Sequence, residues 1–167
     1  VKITFLGGAG TVTGSKYLMQ HEHQRLLIDC GLFQGYKQLR LRNWQPMPVT
    51  PTDVDAVLLT HAHLDHSGYL PLMYRQGYRG RVHATQGTCD LCAILLPDSG
   101  HIQEEDAAFL NRHGYTKHSP AMPLYTKHDA LLSLQLLHPV GMGKTFSPIP
   151  GWNVTFQTAG HILGASS

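Results

Sequence analysis

Apolar residues along this chain fall in short runs near both ends and at wider spacing in the middle. "KITFLG" (Lys2 to Gly7) is an apolar-rich run closed by glycine, the pattern of a strand. "KYLMQH" and "QRLLIDC" follow, separated by Glu22 and His23, and predict a hairpin. "DAVLLT" (Asp55 to Thr60) is a continuous apolar run bounded by turn residues, as in a strand buried on both faces. "RVHAT" predicts another short strand.

From Gln86 to Leu137 the pattern changes. "GTCDLCAILL" is helix-like, and "QEEDAAFLNRH" predicts an amphipathic helix stopped by Gly114, with Glu104, Glu105 and Asp106 at its start, near the positive end of the dipole. Thr126 is a candidate N-cap for "KHDALLSLQLL", which Pro139 ends. "KTFSPI" and "WNVTFQTAG" return to strand. The order of strands, helical block at about 86–137 and strands again predicts an α/β (α+β) domain, with sheets covered by helices rather than a parallel βαβ array. No repeat or low-complexity tract interrupts it.

Composition narrows the classes. The 167 residues suffice for one domain with a real core, and 42% apolar against 14% charged residues is globular and not disordered. A net charge of +2 is too small to argue for nucleic acid by itself. Twelve histidines nearly match the thirteen lysines and arginines, which points toward metal. Cys30, Cys89 and Cys92 are an odd set without a signal peptide, so no disulfide framework is expected. The lone C-x-x-C has no second pair to close a zinc ribbon and reads as small apolar residues. Apolar runs are too short to span a bilayer. These features favour a reducing, cytoplasmic setting with no membrane partner.

The glycine-rich "GGAGTVTGSK" is a near miss for two phosphate motifs. Ser15 separates Gly14 from Lys16, so no P-loop Gly-Lys-Ser/Thr forms, and the third glycine falls one position late for a dinucleotide fingerprint. A tight loop passing close to other backbone is the expected reading. "THAHLDHSG" (Thr60 to Gly68) carries the chemistry. His61 and His63 lie two apart, so in an extended segment both imidazoles share a side and reach one ion. Asp65 and His66 come after the turn begins and suit a second, adjacent ion. Imidazole and carboxylate donors fit zinc, with manganese or iron also open. His83, His113, His118, His128 and His138 have no ligand spacing, and His101 reads as a surface or capping histidine.

H-x-H-x-D-H after an apolar strand resembles the metal-binding motif of the metallo-β-lactamase superfamily. "LLIDCGLFQG" resembles that family's early aspartate motif, and "TAGHILGAS" its later histidine motif. Together with "GGAGTVTGS", these segments resemble the β-CASP branch of RNA-processing nucleases. The resemblance spans the chain and implies the N-terminal portion of an αββα four-layer sandwich with a mixed sheet. It implies that His61, His63 and His161 hold one of two zinc ions, Asp65 and His66 contribute to the other, and Asp29 orients a ligand histidine or its loop. Two zinc ions would activate a shared hydroxide for attack on an RNA phosphodiester, with Asp65 steering it. Lys37, Arg40 and Arg42, beside Tyr36, are candidate RNA contacts.

The resemblance also implies parts that would follow Ser167: a bridging aspartate, further histidines and an inserted RNA-clamping domain. Residues 1–167 are accordingly expected to be the N-terminal part of a longer domain. Its apolar sheet face would be covered by the remaining polypeptide or by another chain, a homodimer included. Two other functions stay open: a small-molecule hydrolase of the same fold acting on a thioester, lactone or β-lactam, and a catalytically silent RNA-binding or scaffold module.

Overall fold

The computed structural model describes residues 1–115 and 118–167. Six strands form one mixed sheet in the order β1 (Lys2–Gly7), β2 (Lys16–His21), β3 (Gln24–Ile28), β4 (Ala56–Leu58), β5 (Arg81–Thr85) and β6 (Leu137–Val140). β1 to β3 are an antiparallel meander, with the predicted hairpin turning at Glu22 and His23. From β3 to β6 every pairing is parallel.

The parallel half corrects the expectation of a sheet without βαβ connections. β4 reaches β5 through the helices α2 (Leu64–Ser67) and α3 (Leu70–Arg75), and β5 reaches β6 through α4 (Gln86–His113) and α5 (Lys127–Ser133). α2 and α3 have four and six residues. Leu70, Pro71, Leu72 and Met73 are consecutive and all buried, so α3 shows no helical period that a sequence pattern could reveal.

The helical block differs from expectation in three places. "GTCDLCAILL" and "QEEDAAFLNRH" belong to one 28-residue helix that runs through Pro97. An interior proline removes one backbone hydrogen bond, and tertiary packing holds the helix across the gap. Ser99 Oγ and Tyr125 Oη are 2.8 Å apart, and Gly100 lies against the backbone of Thr126 and Lys127. Glu104, Glu105 and Asp106 therefore lie inside α4 and not at its start. Glu104 instead accepts a hydrogen bond from the Lys127 N–H, at the start of α5. Thr126 does N-cap α5, in a full capping box with Asp129. That helix ends at Ser133, and Pro139 lies in the edge strand β6, a position proline tolerates. Gly114 closes α4 in the left-handed conformation.

The sheet has two faces. Leu18, Leu27, Val57 and Val82 line the one packed under the helices, against Leu70, Met73, Leu96 and Tyr125. Leu26, Ala56 and Leu58 line the other, against Ile149 and Phe156. The cover on that second face is a small antiparallel pair, β7 (Thr145–Phe146) and β8 (Val154–Thr155). It does not shield β1, whose Ile3 and Phe5 remain 53% and 63% exposed. Cys30, Cys89 and Cys92 are buried free thiols. Among the described residues no helix is long and apolar enough to cross a membrane.

His83 sits on the second face of β5, 4% exposed, with neither ring nitrogen hydrogen-bonded. Burial, then the neighbouring His138 and Arg81, pulls its pKa down to about 4. The unfolded chain takes up this proton near pH 6.5, so between about pH 6.5 and 4 the unfolded state binds more protons and stability falls as pH falls. Denaturant unfolding at pH 7 and pH 4.5 should show that His83→Leu reduces the acid loss of stability by roughly 2–3 kcal/mol, the remainder coming from other buried histidines such as His61. An equal loss in both proteins would refute the assignment.

Candidate metal centre

β4 delivers the site. It ends at Leu58, and the chain then bends at Thr60 and continues without regular structure to His63, the N-cap of α2. The rings of His61 and His63 meet edge to face, 4.9 Å apart between centroids. The donor nitrogens of His61, His63 and His161 lie within 4.8 Å of one another. His63 Nδ1 is 3.1 Å from His61 Nε2 and 3.2 Å from His161 Nε2. One proton on His63 Nδ1 satisfies only one of these facing nitrogens. A single cation satisfies all three, and zinc–nitrogen bonds of about 2.0–2.1 Å in tetrahedral geometry bring their donors to comparable separations. The residues present therefore fit a divalent metal.

The His61 tautomer follows from its neighbours. Thr60 Oγ1 lies 2.9 Å and 3.1 Å from the two Asp29 carboxylate oxygens and 2.9 Å from His61 Nδ1. A carboxylate only accepts, so the hydroxyl donates to Asp29 and accepts from His61 Nδ1–H. That leaves the lone pair on His61 Nε2, facing the cluster. His61 is 8% exposed, and burial, followed by the charge of His66, pulls its pKa down to about 4. The ring is thus neutral at pH 7, the state a metal requires.

Asp65 and His66 lie beside this triad. His66 Nε2 is 3.6 Å from an Asp65 carboxylate oxygen, and the His61 and His66 rings are 4.0 Å apart. His66 Nδ1 is 2.6 Å from Asp29 Oδ2, which leaves Nε2 for other partners. Burial alone would lower its pKa, but the Asp29 hydrogen bond and the charges of Asp29 and Asp65 outweigh it and raise the pKa.

Asp29, 2% exposed, is the hub of this arrangement. Besides Thr60 Oγ1 and His66, it accepts the Thr60 backbone N–H at 2.9 Å and the Ser15 hydroxyl at 3.0 Å. The loop it begins runs hydrogen-bonded along the histidine loop: Cys30 N–H donates to the His66 carbonyl and Leu32 N–H to the Leu64 carbonyl. Gly31 is required there, because a Cβ would lie 1.6 Å from the Asp65 carbonyl oxygen.

His161 comes from the far end of the chain and is exposed. Its loop is held at two points. Ser166 N–H donates to the Thr60 carbonyl at 2.8 Å, and the Gly164 carbonyl accepts from the hydroxyls of Thr85 and Thr88 at 2.6 Å and 3.0 Å. The loop therefore bridges the end of β4 and the first turn of α4.

The structure thus brings His61, His63, Asp65, His66 and His161 together, with Asp29 behind them. Lys37 and Arg40 lie exposed on the short α1 (Lys37–Leu41), and Arg42 lies over the Phe33 ring, 4.1 Å from its centroid. His101 is exposed on α4 and makes no part of the triad. The glycine-rich loop packs Gly14 against Phe33 and presents Ser15 to Asp29. Sequence reading missed Thr60, Ser15, Thr85 and Thr88. Thr60 and Ser15 adjoin recognised motifs, the one signal that could have marked them.

The metallo-beta-lactamase superfamily model matches residues 9–77. Ribonuclease TTHA0252 of Thermus thermophilus is 37% identical over 166 residues, 99% of this chain and 34% of that protein. The transcription termination factor FttA of Methanocaldococcus jannaschii is 32% identical over 99% of this chain and 24% of its own length. The chain therefore spans about a third or less of these curated relatives. Among solved structures, MEM-A1, a subclass B3 metallo-beta-lactamase from a soil metagenome library, superposes with a TM-score of 0.56 at 20% identity, covering 98% of this chain and 52% of that one. This last likeness is one of fold. The relatives align along nearly the whole chain, and the segment carrying Asp29 and the loop histidines, residues 9–77, matches the metallo-beta-lactamase superfamily.

Proposed function

We propose that this chain is the N-terminal, metal-carrying part of a zinc-dependent ribonuclease of the β-CASP type that hydrolyses RNA phosphodiester bonds in the cytoplasm. The observation that carries the reading is the convergence of His61, His63 and His161, with Asp65 and His66 alongside. The names of the ribonuclease and termination-factor relatives support RNA as the substrate class.

In this reading His61, His63 and His161 hold one ion, and Asp65 and His66 help to hold a second. Bound divalent ions would supply Lewis acidity toward the phosphate and a lowered pKa for the attacking water. Asp29 and Thr60 act behind the ligands. They fix which nitrogen of His61 and of His66 carries the proton, and so which one faces the ions. Asp65, with its carboxylate beside His66, orients the attacking water. Lys37 and Arg40 are exposed cations available to RNA phosphates.

Metal binding tests the orienting role. Zinc affinity measured by competition with a chelating dye should fall about 10–100-fold in Thr60→Val, although every donor remains. Affinity equal to that of the native protein would remove Thr60 from the site.

Catalysis tests the substrate. The full-length protein should cleave single-stranded RNA in a metal-dependent way, and His63→Ala should abolish this. Thioester and β-lactam substrates are assayed in parallel. Turnover of those alone, with RNA intact, would overturn the nuclease reading and favour a small-molecule hydrolase.

A further inference from the structure

Behind the Asp29 loop lies a second polar site with the opposite electrostatics. A pocket of about 100 Å³ is lined by Lys16, Phe33, Arg42, Asn43, Gln45 and Tyr69, with Leu6 and Pro46–Pro48 completing its wall. Lys16 is 4% exposed, which is unusual for a lysine. Its ammonium donates to the Gly31 carbonyl and lies 4.7 Å and 4.8 Å from the ring centroids of Phe33 and Tyr69. Arg42 lies over the same Phe33 ring, 4.1 Å from its centroid. Two cations thus share one aromatic ring, and among the described residues neither has a carboxylate within ion-pair distance.

The pocket is preorganised. Asn43, 5% exposed, accepts from the Phe33 N–H at 2.9 Å and donates to the Phe33 carbonyl at 2.8 Å, which fixes the backbone carrying Arg42 against the ring. Tyr69, 2% exposed, contributes its ring to the wall beside the Lys16 ammonium. Burial, with a smaller contribution from Arg42, pulls the Lys16 pKa down to about 8.

We propose that this pocket binds a compact oxyanion, a phosphate group, between Lys16 and Arg42. The volume holds several waters or one tetrahedral anion. It is well below the roughly 300 Å³ at which pockets begin to enclose drug-sized ligands, so a larger phosphate ester would leave its organic part outside. Phosphate supplies the missing counter-charge and acceptors for both cations. The proposal does not rest on the metal centre, because none of these side chains is a metal-site donor.

The test is titration of the isotopically labelled chain, kept in chelator so that no metal recruits the anion, with inorganic phosphate and separately with adenosine monophosphate. Two-dimensional NMR reads the outcome. Saturable shifts at Phe33, Asn43 and Tyr69 are expected, with affinity reduced about tenfold or more in Arg42→Gln. Arg42 is exposed, so this variant keeps the fold, which its spectrum verifies; Lys16→Met is the second variant. Tighter binding of phosphate than of the nucleotide identifies the free ion as the ligand, and the reverse identifies a phosphate ester. Absence of saturable shifts, shifts elsewhere, or equal affinity in Arg42→Gln would overturn the proposal.

Discussion

The Asp29 carboxylate is the interaction on which the site depends. It is buried, a position costly for a charged group unless every lone pair is engaged. Here it receives hydrogen bonds from Ser15, from the Thr60 backbone and side chain, and from His66. Those donors come from three separate segments of the chain. One carboxylate therefore locks the glycine-rich loop, the segment just after β4 and α2 into one register. Its left-handed backbone, φ 58°, is a conformation an L-residue adopts at some cost, and the hydrogen bonds offset that cost.

The sheet explains why these segments meet. β3, β4 and β5 are adjacent and parallel, so their carboxyl ends lie side by side at one edge. Asp29 leaves the end of β3, the histidine loop leaves β4, and Thr85 at the end of β5 starts the helix that holds the Gly164 carbonyl. Ligand sites in open α/β sheets form at such edges, because loops from neighbouring strands emerge together there. His161 completes the triad only because its loop is fastened to two of these ends.

The same loop separates two sites of contrasting character. On one side imidazoles and carboxylates converge as acceptors for cations. On the other, Lys16 donates to the Gly31 carbonyl and, with Arg42, presents positive charge to a pocket without acids. Gly31 permits this thin partition. Its lack of a side chain lets the Asp65 backbone pass directly against it.

Much was legible in the sequence because it depends on local pattern. The strands from Lys2 to Thr85 follow from short apolar runs, the capped start of α5 from Thr126, and the end of α4 from Gly114. His61 and His63 could be assigned to one side from an extended spacing of two, and motif resemblance added Asp29 and His161. Other features depended on contacts distant in sequence. Pro97 reads as a break, yet α4 passes through it because α5 packs against the helix there. Glu104 reads as the start of its own helix but serves the start of another. Thr60 and Ser15 acquire roles only when Asp29 is folded between them, and Lys16 becomes a buried cation only when Phe33 and Tyr69 close around it. Sequence alone determined which donors this chain carries and that a strand delivers two of them. Tertiary structure decided which ring nitrogen of His61 and of His66 keeps its proton and which charges lack an ion-pair partner, since hydrogen bonding and desolvation are set by neighbours in space.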